Sequence, residues 1–151
     1  MTDPRQSARA YAQAAQTARD AGDFHDALVQ QRRAVALLRD VGDEAALGHA
    51  IRHVADILVA AGRAPEAAEP ITEMLILYRG RADAPPLDIA NALRSAAVHA
   101  EAIGDNETAR AFWIQARERY AALDALFEQL TGSPGNPGVA EADARLAALR
   151  Y

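Results

Sequence analysis

The stretch Gly22-Asp23-Phe24-His25-Asp26-Ala27-Leu28 decides the fold. A helical pattern, Tyr11, Ala14, Ala15 and Ala18, runs into Gly22, whose missing Cβ lets the backbone take the positive φ that ends a helix. Asp23 offers a side-chain oxygen to the free N–H groups of the helix that follows. Phe24, Ala27 and Leu28 then fall at i, i+3 and i+4, on one buried face. This is the tight turn of an antiparallel helix pair. It recurs as Gly62-Arg63-Ala64-Pro65-Glu66-Ala67 and as Gly104-Asp105-Asn106-Glu107-Thr108-Ala109, so the turn glycines are spaced by 40 and then 42 residues.

Aligned on those glycines, Tyr11, Ile51 and Leu93 share a register, as do Ala15, Ala55 and Ala97, and then Ala27, Ala67 and Ala109. Two small residues meet at each helix crossing because the backbones come close there and a larger side chain would splay the pair. One such unit cannot bury its apolar face alone, and about three are needed for stability.

Outward from the turns, residues 1–6 read as a flexible lead-in and Ser7 to Ala21 as the first helix. The second carries Phe24, Ala27, Leu28, Val35 and Leu38 and ends near Gly42. Asp43 caps the third, whose core face is Leu47, Ile51, Val54, Ala55 and Leu58. The fourth has Pro65 in its first turn, then Ala67, Ile71, Met74, Leu75 and Tyr78. Pro70, past that turn, is expected to cost a hydrogen bond or a bend. Residues 79–85 form a loop. Pro86 restarts helix for Ile89, Leu93, Ala96, Ala97 and Ala100. The sixth helix carries Ala109, Phe112, Trp113, Ala116, Tyr120 and Leu123 and runs on toward Leu130. Residues 132–138 are a Gly/Pro breaker loop. A last helix over 139–151, with Val139, Leu146 and Leu149 on one side, folds back as a terminal cap. The expectation is an all-α fold of three helix-turn-helix repeats in one domain over 7–131, plus that capping helix.

Composition supports helices and narrows the chemistry. Half of the 151 residues are hydrophobic and only 5% aromatic, which suits close helix contacts better than a sheet. A net charge of −5 speaks against broad nucleic-acid or anionic-membrane binding. There is no cysteine for a disulfide or thiolate, and all 16 basic residues are arginine, so Schiff-base and phosphate-loop lysines are excluded. No apolar run approaches the roughly 20 residues that span a bilayer, and the first residues lack a signal-peptide layout. A cytoplasmic protein is expected.

Over roughly residues 7–123 the chain resembles the tetratricopeptide repeat family. The resemblance rests on the small residue before each turn, the turn glycine and the alanine five residues after it, with Trp113 and Ala116 at the family's large and small positions. Gln31 departs from the pattern, standing where a large apolar residue is usual, which weakens packing there. The 40–42-residue spacing exceeds the typical 34 and is similar to the longer repeats of kinesin light chains, as is Ala68-Glu69-Pro70-Ile71. The resemblance implies a right-handed α-solenoid whose first helices line a concave groove that binds an extended or helical peptide, without catalysis. Fold alone does not fix that function.

In that alignment the groove takes Arg9, Ala12, Gln16 and Arg19 from the first repeat, His49, Arg52, His53 and Asp56 from the second, and Asn91, Arg94, Ser95 and Val98 from the third. The spacing agrees, since 49, 52, 53 and 56 share a face opposite Ile51, Val54, Ala55 and Leu58. Arginines on the inner wall of an acidic protein point to an acidic segment or a free C-terminus as ligand, held bidentately by guanidinium forks. Arg52 and Arg94 are the expected anchors, with His49, His53 and Asn91 as hydrogen-bonding neighbours. The plain alternative is that these are solvated faces of amphipathic helices. The lysine-asparagine-arginine clamp that some family members use for chaperone C-termini has no counterpart at Ala12, Gln16, His53, Asn91 and Ser95.

His49 and His53, four apart, with Asp56 beyond, have the spacing of zinc ligands. Arg52 lies between them and opposes a cation, so no metal or other cofactor is expected. His25 and His99 lack partners at ligand spacing. Ser7, Ser95 and Ser133 sit in no nucleophile motif, and no enzyme activity is expected. Phe112, Tyr120 and Phe127 offer a patch for self-assembly, with core burial as the default for most of them. The reading is an adaptor that binds a protein or peptide partner. Its alternative is a homodimer or larger scaffold joined through the sixth and C-terminal helices.

Overall fold

Where one helix stops and another starts, four carbonyls and four N–H groups are left over, and the three turns treat the carbonyl end in one way. In the computed structural model, which describes residues 3–81, 83–132 and 137–150, Gly22, Gly62 and Gly104 have φ of 80°, 76° and 80°. That conformation turns two N–H groups back onto the helix just ended. Gly22 donates to the Arg19 carbonyl at 2.9 Å and Asp23 to that of Ala18 at 2.8 Å. Gly62 and Arg63 do the same to Val59 and Leu58, and Gly104 and Asp105 to Glu101 and Ala100. This is the Schellman arrangement three times over.

The turns differ in how the next helix begins. The Asp23 and Asp105 carboxylates accept from the N–H groups of Asp26 and Thr108 at 3.0 and 3.1 Å. Arg63 has no oxygen to offer, and there the chain first makes a 3₁₀ turn, Ala64–Ala67, before the α-helix starts at Ala68. Pro70 therefore falls in the first α-turn, where a missing N–H is best tolerated. The bend expected inside the fourth helix is replaced by a change of helix type at its start.

The helices are α1 (Pro4–Asp20), α2 (Phe24–Val41), α3 (Glu44–Ala60), α4 (Ala68–Tyr78), α5 (Pro86–Ala102), α6 (Asn106–Thr131) and α7 (Gly138–Ala148), with no strand among the described residues. α1 starts earlier than its hydrophobic pattern suggests. Asp3 caps it by accepting from the Arg5 N–H at 3.0 Å, and Pro4 opens it, so residues 4–6 are helix rather than lead-in. α6 runs the full length expected of it. At the other end Gly138, read from sequence as breaker loop, is the first residue of α7, while positions 133–136 of that loop lie outside the described residues.

The chain forms two compact units, 1–81 and 82–151, where the sequence reading draws one domain over 7–131. In the first, α1 packs on α2, α2 on α3, and α3 on the 3₁₀ turn and α4; in the second, α5 packs on α6 and α6 on α7. Ala27, Ala67 and Ala109, the residues assigned to the crossings, are completely buried. Around them the first unit buries Leu28, Ile51, Val54, Leu58, Ile71 and Met74, and the second Trp113, Ala116 and Tyr120. In α1 the buried positions are Ala8, Ala15 and Ala18, and Ala14 faces solvent. Gln31 does not weaken the packing by pointing outward. It is buried, and its amide donates to the Ala50 carbonyl of α3 at 3.0 Å, which removes the penalty of enclosing a polar group.

Candidate functional site

In the first unit the residues singled out from the sequence gather along α3. Its buried face, Leu47, Ile51, Val54, Ala55 and Leu58, fixes the helix on its neighbours, and the 3.6-residue period then lines up His49, Arg52, His53 and Asp56 together. The imidazoles of His49 and His53 stand edge to face, with ring centres 4.8 Å apart and planes at 71°. Their Nε2 atoms are 3.3 Å apart, so one ring donates and the other accepts. Arg52 reaches along the helix to Asp56 at 3.4 Å through one terminal nitrogen, with the two side chains only 12% and 16% exposed. That contact uses one donor of five. The Arg52 Nε is buried and has no hydrogen-bond partner.

The local field is positive. Burial, then the charges of Arg52, His49 and Arg19, lower His53 from 6.5 to about 3, so its imidazole is neutral at physiological pH. Arg19 of α1 is half-buried and close enough to act on that ring. Burial penalises any charge here, but the neighbouring Arg52 and Arg19 favour an anion over a cation, and the unsatisfied guanidinium N–H is a donor suited to a carboxylate. The same field opposes a metal cation. Among the described residues no group of three or more histidine, cysteine, aspartate or glutamate side chains could hold a metal ion. Arg9 and Gln16 of α1 are exposed, and Gln16 is tied to Asp20 at 2.7 Å.

The second unit treats its candidates differently. Arg94, an expected anchor, holds Glu141 of α7 with both arms of its fork, at 2.5 and 2.9 Å. Asn91 accepts from the Tyr120 hydroxyl at 2.5 Å. Ser95 is 2% exposed and His99 also buried, so neither lies on an open wall; the Ser95 Oγ and His99 Nε2 have no hydrogen-bond partner. Of the groove positions assigned from sequence, Asn91 and Arg94 thus have partners within the unit and Ser95 is buried.

The sequence reading passed over the residues that engage Arg94 and its neighbours. Arg117 of α6 holds Asp143, and Arg145 of α7 pairs with Glu101 of α5. Glu101 also accepts from the Trp113 indole at 2.6 Å. Burial pushes the Glu101 carboxyl up, yet the hydrogen bonds from Arg145 and Trp113 outweigh it and hold it below the usual carboxylate range. The hydrogen bond from Arg94 lowers Glu141 likewise. The available clue was the pattern Glu141-Ala142-Asp143-Ala144-Arg145, which alternates charge on a helix whose opposite side is apolar.

Comparison with protein-family models and with curated proteins finds no match.

Proposed function

We propose that the chain is a non-catalytic binding module, an α-solenoid of tetratricopeptide-like repeats, and that the α3 site of its first unit receives an acidic peptide segment or a free C-terminal carboxylate. The observation that carries this reading is the Arg52 Nε, a buried guanidinium donor without an acceptor beside the neutral His53 and the cationic Arg19. Leaving such a donor unsatisfied is unfavourable, and a bound carboxylate relieves it with a charge-assisted bond. His49 and His53 supply further polar contacts, and the Arg52 link to Asp56 holds the fork in place. The three repeated turns and their buried alanines support the solenoid part of the reading.

The test is a fluorescence-anisotropy screen of acidic peptides, each with a free and an amidated C-terminus, against the wild type and Arg52→Glu. A charged hydrogen bond of about 1.5–3 kcal/mol predicts about a 10–150-fold loss of affinity in a variant that circular dichroism shows to be folded. Peptides bound equally by both proteins, or a preference for neutral peptides, would sink the reading.

One observation favours a second reading, self-assembly. Leu126, Phe127 and Leu130 on the distal half of α6 are 53%, 46% and 75% exposed and share a stripe at helical spacing. Tyr120, by contrast, is buried, Phe112 is half-buried, and α7 is engaged within its own unit, which leaves α6 to carry such an interface. A molar mass that rises with concentration, and no longer does so after Leu126→Ser and Leu130→Ser, would support it.

A further inference from the structure

Helix α7 lies on the second unit like a ligand. Its small positions, Gly138 and Ala142, are buried one helical turn apart. Around them Glu141 takes Arg94, Asp143 takes Arg117 and Arg145 takes Glu101. Glu141 and Arg145, also one turn apart, both reach α5, whereas Asp143 reaches α6. The charges are therefore matched in order and side, which is how an interface sets partner and orientation. Gly138 is part of the fit, because a Cβ there would stand 2.4 Å from Cγ and 2.6 Å from both Cδ atoms of the Tyr120 ring.

The attachment is shallow for a structural element. All three ion pairs are substantially open to water on at least one side, and exposed pairs contribute little. The apolar contribution beyond the two small residues comes from Val139, Leu146 and Leu149, each only partly buried. Elements held in this way open well below the free energy of global unfolding.

We infer that the face of α5 and α6 carrying Arg94, Glu101, Arg117 and Tyr120 is a receptor for an amphipathic helix. Its code is a small residue at i and i+4, glutamate at i+3, aspartate at i+5 and arginine at i+7. α7 fills this receptor in cis, and a partner protein's helix of the same chemistry displaces it. The inference shares no residue with the Arg52 site and does not rest on it.

The probe is a fluorescein-labelled synthetic peptide of residues 137–150, titrated into the full-length protein. In the wild type α7 competes, and the apparent affinity falls by the small fraction of molecules with the receptor open. Gly138→Ala releases α7 without touching the receptor, and the peptide, which keeps its glycine, is expected to bind that variant at least tenfold more tightly. Adding Arg94→Glu sets two carboxylates against each other and weakens this binding severalfold, and a peptide with Glu141→Arg restores it. A Glu141→Lys, Asp143→Lys variant loosens α7 by setting like charges against Arg94 and Arg117, and guards against misfolding of the first. Hydrogen exchange reports whether α7 is free while α5 and α6 remain protected. The inference is overturned if a folded variant with α7 released binds no more peptide than the wild type. It is also overturned if α7 in the wild type exchanges only by global unfolding.

Discussion

His53 gives the sharpest test of the electrostatics of the first unit. Unfolded, it takes up a proton near 6.5; folded, it does so only at about 3, because burial and then Arg52, His49 and Arg19 oppose the charge. Between those values the unfolded chain binds the extra proton. Stability therefore rises with pH across that window, is fully present above 6.5, and is lost as pH falls toward the folded value. Integrating the linkage for one group, the wild type loses about 2 kcal/mol from this residue between pH 7 and pH 5. That figure barely changes if the folded value is a unit higher. The perturbation is His53→Gln, which keeps a polar side chain and removes the titration. Urea unfolding followed by circular dichroism at pH 7, 6 and 5 gives the difference between the two proteins, in which the carboxylates common to both largely cancel. The wild type is expected to lose about 2 kcal/mol more than the variant. Parallel losses would refute the reasoning, as would a His53 ring titrating near 6.5 by NMR.

Two further predictions concern the scaffold. Leu58 is fully buried, so Leu58→Ala leaves a cavity and should destabilise by about 2–5 kcal/mol in chemical unfolding; a loss under 1 kcal/mol would mean the site collapses around the smaller side chain. Gly62→Ala meets open space, since nothing lies within 4 Å of the added Cβ, and its cost is the left-handed backbone alone, about 1–2 kcal/mol. An unchanged unfolding midpoint would show that the turn changes shape instead.

The helix pairs were legible because a turn glycine and an apolar helix face are local features, repeated at 22, 62 and 104, with a capping aspartate after the first and third. Boundaries were less so. The Arg63 turn lacks the carboxylate that its two counterparts have, and the 3₁₀ turn it makes moves the place of Pro70 within the helix. Gln31 breaks the apolar pattern, and no period reveals that its amide meets a carbonyl 19 residues away. The clustering of His49, Arg52, His53 and Asp56 followed from helical spacing. That Arg52 keeps a buried donor unused did not, because it depends on side-chain geometry. The partner of Arg94 was not legible for a related reason. Helix periodicity says which way a side chain leaves its helix, but not that a carboxylate 47 residues on is waiting for it.

Among the described residues, the ion pairs Arg39 to Glu73, Arg81 to Glu44, Arg94 to Glu141, Arg117 to Asp143 and Arg145 to Glu101, which tie together segments distant in sequence, all have arginine as the cation. A lysine ammonium gives up its charge near pH 10.4, whereas a guanidinium keeps it beyond 12. Alkali therefore has no purchase on the positive member of any of these links, and only acid, by discharging the carboxylates, can undo them. The tertiary charge network is one-sided in its vulnerability. A protein tied with lysine would loosen from both ends of the pH scale, and this one loosens from the acid end alone.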